Sequence, residues 1–404
     1  MQIRPSLVLS GALLVGSLSL PGCGLIQLIS NSAKKNTVNM DRWQVKRIEL
    51  GLRDESQSIC PRKPVQIAVF ADAQHKKRKN KAKKLETWKG DAASANRIGK
   101  MSFEEFVFTA LGGTLDAKTG VFVPNPDVLA TAASGFSLKA QYNRDKSVEA
   151  RTIEWAPSYD CITFAGMTGA SGPIGDSGPS GNSGQAGAGG DATRAGGDGG
   201  SGSGGGQAGN GGNGGPGPNL VAYATFVKTP HHDRLVLLKV TGDAEDTVLF
   251  DPSKPFVLTA AGGAGGSGGT GGYGGAGGGG GSGNPGGRGG SGGPGGQGGN
   301  GGIGGPGGTL QLVYDASFPE LASSIVLDVA GGRAGDPGAP GPGGSAGSKG
   351  SAIGEGAQAG TDGTAGTDGT GGVAGQAGPD GRAAAEPGDV TAVLGTLPEG
   401  ITKL

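Results

Sequence analysis

The sequence predicts a mainly β protein, in which a β-sandwich-like domain is followed by a bundle of polyglycine II helices with interspersed β-hairpins. Three observations support this fold class: short apolar segments before residue 165, a three-residue glycine repeat after it, and strand-like apolar segments following each glycine run. Of the 404 residues, 91 are glycine and 24 are proline, well above the usage of ordinary globular domains. The glycine runs cannot build an apolar core of their own.

Residues 41–165 are composed like an ordinary globular domain. Twelve of the nineteen aromatic residues lie between Trp43 and Phe164, so a core of the usual kind can form there. Candidate strands recur at spacings typical of a β-sandwich, with turn residues between them. They are 45–50, 65–70, 103–111, 120–123, 136–142, 148–155 and 161–164. Short helices are possible at 102–106 and 127–133.

Glycine recurs at every third position in three long runs. The first spans 166–190, and the third spans 332–381 with a slip near Ile353. In the second run, 262–307, sixteen consecutive triplets begin with glycine, and the next residue is also glycine except at Asn284. A period of three matches the polyproline II type of helix, which has three residues per turn, and it fits neither an α-helix nor an ordinary strand.

Two assemblies use such a repeat, and a disordered linker is the third possibility. The first run, with Gly172-Pro173-Ile174, resembles bacterial collagen-like repeats, whereas the Gly-Gly-X unit of the second resembles a polyglycine II bundle. We favour the bundle, because a linker has no need of an unbroken frame. Strand-like segments after the runs also predict hairpins at about 219–261 and 309–330, which would reverse the chain within one module covering 166–404. A further strand is expected after the third run, at 390–394.

The N-terminus carries the most specific motif. Arg4 is followed by an apolar stretch at 7–20 and then by Leu20-Pro21-Gly22-Cys23. This pattern resembles the signal peptide and lipobox of bacterial lipoproteins, as found in glycine-rich, collagen-like members of unassigned role. The resemblance implies removal of residues 1–22, acylation of Cys23 (for example with palmitate), and a lipid anchor and tether at 23–40. A plain secretory signal or a single membrane helix is the alternative, although the apolar run is short for a span of about 20 residues.

Localisation and cysteine pairing follow from this motif. Gly24 stands where an inner-membrane retention signal would have aspartate, so the resemblance implies an outer-membrane protein that faces the cell surface or the periplasm. With Cys23 acylated, Cys60 and Cys161 remain, an even pair in an oxidising compartment. We expect a disulfide that holds the β-sandwich-like domain, with two unpaired buried thiols as the alternative.

Charge is divided unevenly between the two parts of the chain. Residues 24–165 carry 23 Lys and Arg against 15 Asp and Glu, whereas residues 166–404 carry 10 against 19. The basic stretch within 75–89 is interpreted either as a contact for an anionic surface or as a solvated hairpin loop. No nucleic-acid-binding module accompanies this charge, so nucleic acid is not expected as a partner.

The remaining motifs do not indicate chemistry. Gly-x-Gly-x-x-Gly strings are inevitable at this composition. His231-His232-Asp233 is interpreted as a turn, and Asp191, Asp198, Asp362 and Asp368 only faintly resemble calcium-binding repeats, so no metal or cofactor is expected. A hydrolase in 41–165 has no motif to support it, and we expect that the protein is not an enzyme.

The expected role is therefore structural or adhesive, in the cell envelope. A rigid glycine-repeat module would contact envelope or matrix polysaccharide or protein, while the acylated cysteine binds outer-membrane lipid. The alternative is a ligand-binding surface, for polysaccharide or ice, built on a regular array of small polar residues.

Overall fold

Strands dominate the computed structural model, which describes residues 37–88 and 98–404. The mainly β prediction is confirmed, because these residues form eighteen strands and only three short α-helices. They fold as two units. Unit 1 contains the described parts of Met1–Gln57, Pro64–Val123 and Ser137–Trp155, and unit 2 contains Ser58–Lys63, Pro124–Phe136 and Ala156–Leu404.

Unit 1 contains two sheets. The first has the order β1-β3-β7-β6, with β4 also paired to β3, and the second has the order β9-β8-β5. Because β3 is eleven residues long, it pairs with β7 at its start and with β4 at its end. The strands are β1 Trp43–Leu52, β3 Val65–His75, β4 Ala82–Glu86, β5 Phe106–Leu111, β6 Gly113–Asp116, β7 Val121–Pro124, β8 Phe136–Tyr142 and β9 Arg151–Pro157.

The two sheets of unit 1 share one apolar core. Ile48, Val69 and Leu85 from the first sheet are buried in the same cluster as Phe106 and Tyr142 from the second. Alternate residues of β8 are buried, as expected for a strand with one face toward a core.

A tight turn in unit 1 requires glycine. Gly120 has a φ of +72°, and a Cβ at this position would lie 2.0 Å from the Phe103 ring.

Phe103 belongs to a 3-10 turn, Phe103–Glu105, where the sequence predicted that a short helix was possible. The second expected helix is α1, Val128–Ala132, which Asp127 caps by accepting from two backbone amides.

Unit 2 also contains two sheets. One is a parallel sheet with the order β10-β14-β16, and the other has the order β13-β12-β11-β15-β17, with β18 paired to β11. The strands are β10 Phe164–Gly166, β11 Asn219–Lys228, β12 Leu235–Gly242, β13 Asp246–Phe250, β14 Phe256–Thr259, β15 Thr309–Asp315, β16 Ile325–Asp328, β17 Arg382–Gly388 and β18 Thr402–Lys403. The helices are α2 Leu321–Ser324 and α3 Thr391–Leu394.

The sheets of unit 2 enclose a second core. Phe226, Leu238 and Leu312 are buried together with Phe256 and Leu258 of the parallel sheet. Within this core the rings of Phe250 and Phe256 stack at 3.8 Å. A core of buried apolar side chains thus lies at one end of the glycine runs, and the runs begin and end at its strands.

A disulfide joins Cys60 and Cys161, as the cysteine count predicts, but not within the β-sandwich-like domain. Both cysteines belong to unit 2, because β2 (Ser58–Ile59) pairs with Ala156 and Pro157 at the end of β9. The expected boundary at residue 165 therefore differs from the structure, where 58–63, 124–136 and 156–165 lie in unit 2. Their apolar residues, such as Val128 and Tyr159, are buried in the core of unit 2.

Two strand predictions after the second glycine run are wrong. The expected hairpin at about 309–330 does not form, because β15 pairs in parallel with β11 and β17 whereas β16 pairs in parallel with β14 of the other sheet. The apolar segment 390–394 is mostly helix α3, and the strand that follows the third run is β17. By contrast, the expected hairpin at 219–261 contains the antiparallel strands β11, β12 and β13, with β14 following in the other sheet.

A buried carboxylate anchors the C-terminus to unit 2. Asp315, at the end of β15, accepts from Thr225 Oγ1 at 2.9 Å and from the Ser317 amide at 3.0 Å, and it forms an ion pair with Lys403 at 2.7 Å. Burial opposes ionisation of this group, but the bonds from Lys403, Ser317 and Thr225 outweigh it, and the pKa of Asp315 is lowered to about 2. The charged form of Asp315 therefore stabilises the folded state.

We predict that Asp315→Asn destabilises unit 2 at pH 7 by an amount on the order of 2 kcal/mol. Because the folded-state pKa lies below the unfolded value, this contribution is complete above about pH 4 and is lost as the pH falls toward 2. Urea denaturation of parent and variant at pH 7, 4 and 2 measures it. Asp233→Asn is the matched control, since Asp233 pairs with Lys228 on the surface, and we expect no measurable change. An equal loss for Asp315→Asn at pH 2 and pH 7 would contradict the assignment.

Candidate functional site

Six extended glycine segments of unit 2 form the candidate functional site. Segments 1, 3 and 5 (167–190, 260–283 and 329–351) leave β10, β14 and β16, the three strands of the parallel sheet. Segments 2, 4 and 6 (196–218, 286–308 and 360–381) return into β11, β15 and β17. Each outgoing segment is joined to the next returning one by a turn, at 191–195, 284–285 or 352–359.

Parallel segments are hydrogen-bonded at every third residue. From Gly169 N→Ala261 O to Gly190 N→Ser282 O, segment 1 donates to segment 3 in eight successive triplets, at 2.6–2.9 Å. Segment 3 donates to segment 5 in the same way, starting with Gly262 N→Ala330 O, while segment 2 donates to segment 4 and segment 4 to segment 6. The outgoing segments thus form one layer, and the returning segments form another.

Antiparallel bonds join the two layers. Gly278 N donates to Gly200 O at 2.8 Å, and equivalent bonds repeat every three residues between segments 3 and 2. Bonds of the same kind lead from segment 2 to 1, from 4 to 3, from 5 to 4 and from 6 to 5. Segments 3 and 4 each have four hydrogen-bonded neighbours and lie in the interior of the network.

We call a series of glycines at every third position a glycine frame. The number of glycine frames in a segment equals the number of neighbouring segments to which it donates backbone hydrogen bonds. Segments 1, 5 and 6 donate to one neighbour each and have one continuous frame, whereas segments 2, 3 and 4 donate to two and have two. The exceptions are Ser203 and Ala208 in segment 2, which still donate through their amides. Segment 2 was not predicted from the sequence, although its Gly-Gly-X pattern is a signal for it.

Steric limits explain why the donating positions are glycine. A Cβ at Gly278 would lie 2.0 Å from Gln185 O, and a Cβ at Gly275 would lie 1.9 Å from Asn182 O. Real Cβ atoms do not approach a carbonyl oxygen so closely. At Gly279, the third position of the same triplet, the nearest atom to a Cβ would be Ser348 Oγ at 3.4 Å, an ordinary contact. Apart from Ser203 and Ala208, side chains are therefore restricted to the positions that do not donate to a backbone carbonyl oxygen of another segment.

Asparagine and aspartate side chains bind some of the remaining backbone amides. The Oδ1 atom of Asp198 accepts from Arg288 N at 2.7 Å, and that of Asn210 accepts from Asn300 N at 2.9 Å. Asn300 Oδ1 in turn accepts from Val373 N at 2.8 Å, so three returning segments are linked at one level. The same role is filled by Asn213, Asp362, Asp368 and Asp380.

The exposed surface of the segments displays mainly small residues, many of them polar. Thr361, Thr364, Thr367 and Thr370 are exposed at one-triplet intervals along segment 6, and Thr364 Oγ1 donates to Ser291 Oγ of segment 4 at 3.0 Å. A few large apolar side chains interrupt this surface. They are Met167, Ile174, Tyr273, Ile303 and Val373, which are between 48 % and 75 % exposed.

The residues predicted from the sequence are not brought together by the structure. Cys23 lies outside the described residues, and Cys60 and Cys161 form the disulfide of unit 2. Asp198, Asp362 and Asp368 each accept from a backbone amide of a different segment. Asp191 instead accepts from Thr193 within a turn, and these bonds lower its pKa. Within 37–88 and 98–404, no group of three or more His, Cys, Asp or Glu residues could hold a metal ion.

The His231-His232-Asp233 sequence forms the turn between β11 and β12. Thr229 N donates to His232 O at 2.9 Å, and the amides of both histidines donate to Thr229 Oγ1. The His232 ring lies edge-on to Tyr159, with ring centroids 5.3 Å apart. Burial lowers the pKa of His232 and raises that of Tyr159.

The basic stretch forms the exposed hairpin between β3 and β4 in unit 1. Its turn is held by His75, whose Nδ1 accepts from the amides of Lys77 and Arg78 at 3.1 and 3.2 Å. Lys84 is paired with Glu49 at 2.6 Å. The end of the stretch, from residue 89, lies outside the described residues.

Comparisons with protein-family models, with curated proteins and with solved structures give no match to this chain. Among the described residues, no helix is both long enough and apolar enough to span a membrane.

We predict opposite effects for two neighbouring substitutions in segment 3. Gly278→Ala places a methyl group against Gln185 O and should destabilise unit 2 by about 2 kcal/mol or more, because close-packed backbone must move apart. Gly279→Ala meets only an ordinary contact and should be neutral or stabilise by about 0.4–1 kcal/mol, since alanine restricts the unfolded chain. Thermal unfolding of both variants measures the difference. Equal changes in melting temperature would contradict the steric account.

Proposed function

We propose that segments 1 to 6 are polyglycine II helices packed as a bundle, and that the protein is a lipid-anchored cell-envelope protein in which this bundle has a structural or adhesive role. The observation that carries the proposal is the network of backbone hydrogen bonds between segments, repeated every three residues. A three-residue period with glycine at each close approach is what packed helices of this type require. In unit 1, two sheets sharing one core support the classification as a β-sandwich-like domain.

Rigidity follows from the bonding of the backbone. An isolated helix of this type has no internal hydrogen bonds, so its order depends on its neighbours. Segments 2, 3 and 4 each donate hydrogen bonds to two neighbours. These bonds offset the loss of glycine's large conformational freedom on folding. Such a module offers extended surfaces of fixed spacing, which suits repeated contacts with envelope or matrix polymers better than chemistry at a single cleft.

A second function is favoured by the threonine row. Thr361, Thr364, Thr367 and Thr370 present hydroxyl and methyl groups at a regular interval of about 9 Å, three residues at about 3.1 Å each. A repetitive ligand with a matching spacing, such as a polysaccharide or the surface of ice, could bind such a row.

The adhesive role is tested in cells from which the gene for this protein is deleted and in which the parent or a variant is expressed instead. The triple variant Gly275→Ala, Gly278→Ala and Gly281→Ala places methyl groups against three carbonyl oxygens and should lose adhesion to the same extent as the deletion. The matched variant Ala276→Ser, Gly279→Ala and Ser282→Ala changes the neighbouring third positions and should retain adhesion. Full adhesion by the first variant, expressed at parental levels, would contradict a role for the folded bundle.

Affinity columns distinguish the ligand-binding function from the adhesive role. Retention of the purified protein on a polysaccharide or ice column, lost in Thr364→Lys with Thr367→Lys, would favour a ligand-binding surface. Loss of cell adhesion on deletion, without any retention on these columns, favours the adhesive role.

The lipid anchor is tested by metabolic labelling. We expect the parent to incorporate labelled palmitate and to fractionate with the outer membrane, because the Leu20-Pro21-Gly22-Cys23 motif resembles a lipobox. Cys23→Ser should abolish both the label and membrane retention, since acyl chains supply the anchoring energy. Unchanged labelling in Cys23→Ser would refute acylation at this residue.

A further inference from the structure

Strand β17 leaves one edge of the larger sheet of unit 2 open. It pairs with β15 on one side, and no other described strand pairs with it. Six of its seven residues are exposed, and only Gly388 is partly buried. An open edge presents unpaired backbone groups to which another strand can bind.

The direction of these backbone groups follows from the pairing with β15. Arg382 N donates to Gly308 O at 3.0 Å, and Arg382 lies opposite Thr309 in the parallel register. Since backbone groups alternate along a strand, Ala384 and Glu386 also face β15, whereas Ala383 and Ala385 direct their N–H and C=O groups to the open side. Pro387 faces the open side too, where its missing N–H leaves β15 unaffected.

The side chains of this edge are complementary to a reversed copy of themselves. Arg382 and Glu386 are exposed, two residues to either side of Ala384. In an antiparallel pair of β17 strands centred on Ala384, each Arg382 lies opposite Glu386 of the other copy. Both of these positions would be non-hydrogen-bonded pairs, in which the Cα atoms are only about 4.5 Å apart and side chains are closest.

We propose that β17 is a self-association edge, through which two copies of this chain form a two-fold symmetric dimer with one continuous sheet. The N–H and C=O groups of Ala383 and Ala385 form four hydrogen bonds with the same groups of the second copy. The two Arg382–Glu386 pairs lie at the two ends of the interface. Symmetric edges of this kind are self-complementary, as a closed dimer requires.

The register of the dimer is determined by the same residues. Shifting the centre to Ala385 places Pro387 opposite Ala383, where the proline cannot donate, and places Glu386 opposite Ala384. Shifting the centre to Ala383 places Arg382 opposite Ala384. The pairing centred on Ala385 also uses both donors of each edge, because the Pro387 carbonyl can accept, so the charge pairs decide the register. Only the pairing centred on Ala384 places each Arg382 opposite Glu386 of the other copy. A second copy of the chain is therefore a better fit than an arbitrary extended peptide.

Sedimentation of the full chain carrying Cys23→Ser, over a wide concentration range, tests the proposal. The interface is small, so we expect a weak, reversible dimer. Arg382→Glu or Glu386→Arg alone places like charges opposite each other twice by symmetry, and each should raise the dissociation constant about tenfold or more. The double variant, Arg382→Glu with Glu386→Arg, restores both pairs and should return the dissociation constant to within about threefold of the parental value.

Ala385→Pro provides a second test that does not depend on charge. It removes an outward N–H and leaves the bonds to β15 in place, so it should abolish the dimer without unfolding the sheet. Amide exchange at Ala383 and Ala385 should slow with increasing protein concentration in the parent and not in this variant. A parent that remains monomeric throughout overturns the proposal, as does a dimer that resists Arg382→Glu and Ala385→Pro.

Discussion

The close approach of one backbone to another at glycine is the constraint on which unit 2 depends. A donating residue such as Gly278 lies so near the carbonyl of a neighbouring segment that a Cβ would overlap it by more than an ångström. Apart from Ser203 and Ala208, every residue that donates its backbone amide to a backbone carbonyl oxygen of another segment is therefore glycine. The interior segments, 3 and 4, meet this requirement at two positions in every triplet, and the outer segments 1 and 6 at one. The glycine content of a segment thus follows from the number of neighbours to which it donates.

The apolar sheets of unit 2 align the segments with one another. Glycine triplets are nearly identical, so the network alone specifies register weakly. The parallel pairing of β10 with β14 and of β14 with β16 fixes where segments 1, 3 and 5 begin. The pairing of β11, β15 and β17 fixes where segments 2, 4 and 6 end. At the borders of the hydrogen-bonded network, side chains replace the second glycine frame of segments 1 and 6, and so prevent a further segment from packing at the same distance.

Local sequence patterns predicted much of this structure. Little of the long-range strand pairing could be predicted from the sequence. The period of three and the alternation in β8 are readable in the sequence because each depends on neighbouring residues. The partner of a strand is not a local property, which is why β15 and β16 were expected to pair with each other and β17 was missed: its alanines are exposed and lack an apolar signature. The disulfide could be paired by counting, but its place in unit 2 depends on the packing of 58–63 and 156–165. The amide contacts of Asn210 and Asn300 likewise join residues ninety positions apart.

Amide hydrogen exchange along segment 3 tests the hydrogen-bond network directly. The network predicts slow exchange at both glycines of each triplet, for example Gly277 and Gly278, and fast exchange at third positions such as Ser267 and Thr270. In segment 4, the amides of Arg288 and Asn300 should be protected as well, because side chains bind them. Two slow amides in every three would support the account. One slow amide in three, as in a collagen-like trimer with a single glycine ridge, or no protected amides, as in a disordered linker, would contradict it.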